Sequence, residues 1–62
     1  MNKYNVGIAT KRTGEYGIVT VQADWFVVES DKLIFHDNDE NVLALFDKGV
    51  WNYVVKVGEE KQ

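Results

Sequence analysis

Val42–Val57, VLALFDKGVWNYVVKV, carries the strongest strand and turn signals of the chain. Two runs rich in β-branched and aromatic residues flank Asp47-Lys48-Gly49, a composition suited to the pleated, half-buried surface of a strand. The three residues between them predict a hairpin loop, a type I turn closed by a left-handed residue that forms a bulge. Glycine takes that conformation without steric cost, and Gly49 stands where it is needed. The stretch also carries Phe46, Trp51 and Tyr53, three of the eight aromatic side chains.

Toward the N-terminus, Tyr4, Val6 and Ile8 alternate with Asn5, Gly7 and Ala9, the period of a strand with one buried face. Lys11-Arg12-Thr13-Gly14-Glu15 is a polar break that fits a short hairpin loop. A second strand is predicted over Tyr16–Ala23, with Ile18 on one face and Val19 and Val21 on the other. Gly17 within it marks a bulge or a close backbone approach. After Asp24, Trp25-Phe26-Val27-Val28 runs apolar without alternation, which predicts a strand covered on both sides. Ser30-Asp31-Lys32 reads as a turn, and Leu33-Ile34-Phe35 as a short strand ending at His36. Asp37-Asn38-Asp39-Glu40-Asn41 is a loop of residue types that bond the local backbone. Gly58–Gln62 reads as a frayed tail.

No ten-residue window combines helical apolar spacing with cap signals, and no proline bars any run from a sheet. The expectation is therefore all-β. Residues 1–62 form a single small domain, an antiparallel meander of five to six short strands. It closes into a small SH3-like or OB-like barrel, or stacks as a two-layer sheet. A 45% hydrophobic content is enough for a core, yet a chain of 62 residues buries only about 60% of its unfolded surface. With no cysteine, neither a disulfide nor a thiolate metal site supplements that core. Packing or association must supply the difference.

Parity along the later strands sharpens the point. One set of positions gathers Trp25, Val27, Leu33, Phe35, Val42, Ala44, Phe46, Trp51, Tyr53 and Val55. The other still holds Phe26, Val28, Ile34, Leu43, Leu45 and Val54. An antiparallel sheet with one wet face should alternate apolar with polar. The second set must be hidden by barrel closure, by the first hairpin folding across it, or by a partner such as a second copy. A contiguous exposed apolar patch usually marks a binding site.

A formal charge of −3 and a pI near 4.9 disfavour nonspecific binding to phosphates or anionic lipid. Lys3, Lys11 and Arg12 make the first dozen residues basic, whereas Asp37, Asp39, Glu40, Glu59 and Glu60 form two acidic clusters. No run is long enough for a signal peptide or a membrane span, and the absence of cysteine fits a reducing compartment. A cytoplasmic protein is the expectation.

Chemical motifs are few. Asp37, Asp39 and Asn41 match the first three ligand positions of an EF-hand loop, but position six is Val42 where glycine is needed and position twelve is Lys48 where glutamate is needed. His36 is the sole histidine and Ser30 the sole serine, so neither a metal cluster nor a nucleophile–histidine–acid set stands out. No enzyme, metal or cofactor is expected. A cold-shock-type nucleic-acid binder would have an aromatic–glycine–aromatic run on strand two, where this chain has Tyr16-Gly17-Ile18-Val19.

Ala23–Val54, ADWFVVESDKLIFHDNDENVLALFDKGVWNYV, resembles small uncharacterised β-meander proteins encoded by phages and prophages, which share a hairpin, an acidic loop, an apolar strand and a glycine–x–tryptophan. The resemblance implies a stable β platform that binds and inhibits a host macromolecule. The expected function is non-enzymatic protein binding, toward a partner with a basic surface. The candidate binding residues are Asp37, Asp39, Glu40, Phe26, Leu43 and Leu45. The alternatives are a single-stranded nucleic-acid binder and a subunit of a homo-oligomer, a homodimer being the simplest.

Overall fold

Strand-forming composition becomes strands throughout. A computed structural model describes residues 1–9 and 16–59. Its elements are β1 (Asn2–Ala9), β2 (Tyr16–Ala23), β3 (Trp25–Glu29), β4 (Lys32–His36), β5 (Val42–Phe46) and β6 (Trp51–Glu59). All pairings are antiparallel, and they build two three-stranded sheets in the orders β2-β1-β6 and β3-β4-β5. Among the described residues no helix is long and apolar enough to cross a membrane. The predicted loop at 11–15 lies outside the described residues.

The two middle strands supply most of the interior. Tyr4 and Val6 of β1, Ala23 at the end of β2, and Leu33 and Phe35 of β4 are the buried core. The Tyr4 ring lies 5.3 Å from Phe35 and meets Phe26 edge-on at 5.4 Å, so the sheets touch through aromatic rings. Ile8, Val21, Ala44, Phe46, Trp51 and Val54 pack half-buried around this set. The thinnest dimension is 13 Å, as two sheets stacked about 10 Å apart require. No ladder joins a described strand of one sheet to the other, so the barrel alternative gives way to two layers.

The Val42–Val57 stretch is not a hairpin. β5 pairs with β4, and β6 pairs with β1 from Asn2↔Glu59 to Ile8↔Trp51. Asp47–Val50 is still a tight turn, closed by the Val50 N–H on the Asp47 carbonyl at 3.1 Å, with Gly49 at φ 82°. Positive φ at the third residue alone is the mark of a type II turn. Such a turn lacks the twist that keeps flanking strands paired. The Val50 carbonyl instead accepts the Ala9 N–H at 3.0 Å, which starts β6 along β1.

The other crossing between sheets is at Asp24, the single residue between β2 and β3. Its N–H donates to the His36 carbonyl at 3.0 Å, and its carbonyl accepts Asn2 Nδ2 at 3.1 Å. Its carboxylate accepts the Asn38 N–H at 2.8 Å. Three bonds thus fix where the chain changes layer.

Turn geometry decides which apolar residues are buried. Ser30 and Asp31 have φ of 50° and 64°, the type I′ pattern of a two-residue loop, and Glu29 pairs with Lys32. Phe26 therefore stands opposite Phe35, and Val28 opposite Leu33, on the inner face. Trp25 and Val27 lie on the outer face with Ile34. This reverses the parity grouping, which a three-residue turn would have produced, because a register slip of one exchanges the faces. A bulge at Asn52 acts similarly in β6. Trp51 opposes Ile8 and points inward, whereas Tyr53 opposes Gly7 and points outward; Val54 is packed against the core.

Three smaller expectations also change. β3 is an edge strand, with Trp25 and Phe26 38% exposed, and is not covered on both sides. β2 runs past Gly17 in unbroken register, without a bulge. β6 includes Gly58 and Glu59, which are strand and not tail.

The turns yield two expected outcomes in urea melts. Ser30→Asn with Asp31→Gly relieves two left-handed residues and should raise stability by roughly 1 kcal/mol or more. Gly49→Val places a β-branched residue at positive φ and should cost more than the roughly 1 kcal/mol of an average substitution. An unchanged midpoint in either variant would contradict the turn assignment.

Candidate binding surface

The outer face of the β3-β4-β5 sheet carries a row of apolar side chains across all three strands. Val27 stands opposite Ile34, and Ile34 opposite Leu45. The register shifts between Phe35↔Ala44 and His36↔Val42, leaving Leu43 as the extra residue of a bulge. Val27 and Ile34 are half-buried by their neighbours, while Leu43 and Leu45 are 42% and 53% exposed. Trp25 closes one end, stacked on His36 with ring centres 4.1 Å apart and planes within 14°. Its Nε1 donates to the Asp37 carbonyl at 3.0 Å.

Beyond that stack lies the acidic loop. Asp37 organises it from within: Oδ1 accepts the Asp39 and Asn41 N–H groups at 2.9 Å each, and Oδ2 accepts Asn41 Nδ2 at 2.9 Å. The Glu40 N–H closes a turn onto the Asp37 carbonyl at 3.1 Å, and Glu40 itself is left-handed at φ 66°. A turn followed by a left-handed residue, the geometry expected at Gly49, is found here. The bonds from Asn41, side chain first and backbone second, hold the Asp37 carboxyl below its ordinary value of 3.8, outweighing the opposing effect of desolvation. Asp39 and Glu40 are exposed on the rim.

Of the six candidate residues, five belong together. Asp37, Asp39 and Glu40 share one loop, and Leu43 and Leu45 lie on the strand that leaves it. Phe26 does not join them, because its ring packs inward on Tyr4 and Phe35. Trp25, Val27 and Ile34 belong to the surface too; parity grouped Ile34 with Leu43 and Leu45, as found, but set Trp25 and Val27 on the opposite face. The signal for Trp25 and Val27 was hidden in the Ser30-Asp31 turn, whose type I′ form ordinarily calls for Asn-Gly.

The outer face of the β2-β1-β6 sheet is different. Gly7 forms its floor, and a Cβ there would overlap the Tyr53 ring that lies across it. Tyr16, Gly17, Ile18 and Asn52 complete a shallow depression of about 240 Å³. Among the described residues, no three His, Asp or Glu side chains converge to hold a metal ion. Comparison with protein-family models, curated proteins and solved structures finds no match to this chain.

Two outcomes are expected from this geometry. His36 Nδ1 is enclosed without a hydrogen-bond partner, so His36→Phe keeps the stack on Trp25, removes an unpaired polar atom, and should leave the melting temperature unchanged or higher. A clear loss would show that the imidazole has a partner. For Asp37, a folded-state pKa below 3.8 means that its contribution is complete above that pH and is lost as pH falls through the lowered value. Acid titration followed at the Asn41 amide should therefore show the loop loosening below pH 3.8. Asp37→Asn should remove that transition.

Proposed function

We propose that this chain is a non-enzymatic protein-binding module that docks onto a basic surface of another protein. The observation that carries this reading is the exposed row of Leu45, Leu43 and Trp25 on the outer β3-β4-β5 face, adjoining the loop of Asp37, Asp39 and Glu40. Apolar groups desolvated at the centre of a contact hold a complex, and carboxylates on its rim speed encounter with a cationic partner. A net charge of −3 opposes the phosphates of nucleic acid, which favours a protein target. Occlusion of a host macromolecule, as the likeness to phage-encoded meanders implies, requires only such a surface.

Asp37 holds the loop together, so a charge test must leave it in place. Capture from a lysate by the immobilised wild-type chain, compared with Leu45→Lys on the face and Val57→Lys on β6, identifies the partner. The partner should be retained by Val57→Lys and lost with Leu45→Lys. Asp39→Asn with Glu40→Gln should then lower its association rate severalfold at low salt and flatten the salt dependence. Capture indifferent to Leu45→Lys would overturn the reading. A rate and salt slope equal to wild type would remove the loop from it.

A further inference from the structure

We infer that β2 is a self-pairing edge, through which two copies of the chain join their β2-β1-β6 sheets into one six-stranded sheet. β2 is an outer strand, and among the described residues nothing pairs with its far side. It runs for eight residues in continuous register with β1, from Ala9↔Tyr16 to Asn2↔Ala23. That is an edge about 27 Å long at 3.4 Å per residue. From Tyr16 to Ala23 it contains no charged residue and no proline.

Sheet proteins ordinarily protect such an edge with charge, proline, a bulge or shortness. The other three outer strands each show one of these devices. β6 has register shifts at two points and carries Lys56, ion-paired with Glu59. β3 and β5 are five residues long, β3 ends in Glu29, and β5 is bulged at Leu43. β2 has none of them.

The same features fit a second copy as the occupant. Two-fold pairing brings each residue near the axis against its own kind, so any charge there would meet a like charge. A chain of net charge −3 repels itself at long range, and β2 is the longest strand along which two copies approach without adding to that repulsion. With Val19 on the axis, Ile18 stands opposite Thr20 of the second copy and Tyr16 opposite Gln22. Ile18 and Tyr16, 63% and 82% exposed in the single chain, gain cross-strand neighbours. A pairing of edges is smaller than the roughly 800 Å² per partner of a standard stable interface, so the dimer is weak and concentration-dependent. It leaves the β3-β4-β5 face open and does not rest on the function proposed above.

Sedimentation equilibrium of the purified chain from about 10 µM to 1 mM tests this, since linked association makes mass and stability depend on concentration. The expected result is a mass rising from one chain toward two. Ile18→Lys should hold it at one with an unchanged circular dichroism spectrum, and Val57→Lys should behave as wild type. Amide exchange on the wild type provides a reading that no variant can spoil. Protection of β2 amides should rise with concentration severalfold more than protection of β6 amides. A monomer mass throughout overturns the inference, as does a dimer that survives Ile18→Lys with folded chains but is dispersed by Leu45→Lys.

Discussion

The Tyr4 and Phe35 rings join the two sheets at the centre of the core. Each ring belongs to the central strand of its sheet, and they meet 5.3 Å apart where the layers stack. Tyr4 also touches Phe26, and its hydroxyl accepts Asn2 Nδ2 at 3.1 Å. Among the described residues, the buried hydrophobic set is Tyr4, Val6, Ala23, Leu33 and Phe35. Truncating a buried aromatic costs about 3–5 kcal/mol against a total stability of roughly 5–15 kcal/mol for an ordinary domain. A core of five side chains has no reserve for that loss.

So small an interior places unusual weight on the connections between layers. Asp24 fixes one crossing with three hydrogen bonds, and the Asp47–Val50 turn makes the other. Trp51 adds a clasp, donating its Nε1 to the Asp31 carbonyl at 2.9 Å while its indole packs against the core. The β3–β4 turn is thereby tied to the strand that flanks β1. These bonds do what a disulfide does in other small domains: they limit how far the two sheets can slide or open.

The apolar residues left outside have a common origin. Two three-stranded layers can share only one interior, and this sequence has more apolar positions than one interior accepts. Where the surplus lies on a face, as with Leu43 and Leu45, it adjoins the acidic loop. Where it lies on an outer strand, as with Ile18, it adjoins unpaired backbone. The first has carboxylates at its rim, and the second has no charged side chain along its length. Gly7 and Tyr53 show a third solution, an aromatic ring laid over a glycine across the strand pair, which shields backbone that no side chain of Gly7 could cover.

The order of residues alone specifies that strands form, about where each one lies, and what the loops are made of. β-branched and aromatic density set the strands, Gly49 announced a positive φ, and the Asp37–Asn41 composition announced a loop bonded by its own side chains. It also set Leu43 and Leu45 close to the carboxylates along the chain, since only a few residues separate Glu40 from them. Pairing and facing were decided only in three dimensions. β6 pairs with β1 and not with its neighbour β5, because a type II turn splays the strands it joins and β1 offers a second edge. Phe26 went inward and Trp25 outward because Ser30 and Asp31, neither of them a glycine or an asparagine, accept left-handed conformations in a two-residue turn. Composition measures the tendency of each residue to be extended, but the face it presents depends on the exact residue count in each turn and bulge. Those counts are settled by which register buries Tyr4, Val6, Leu33 and Phe35 together.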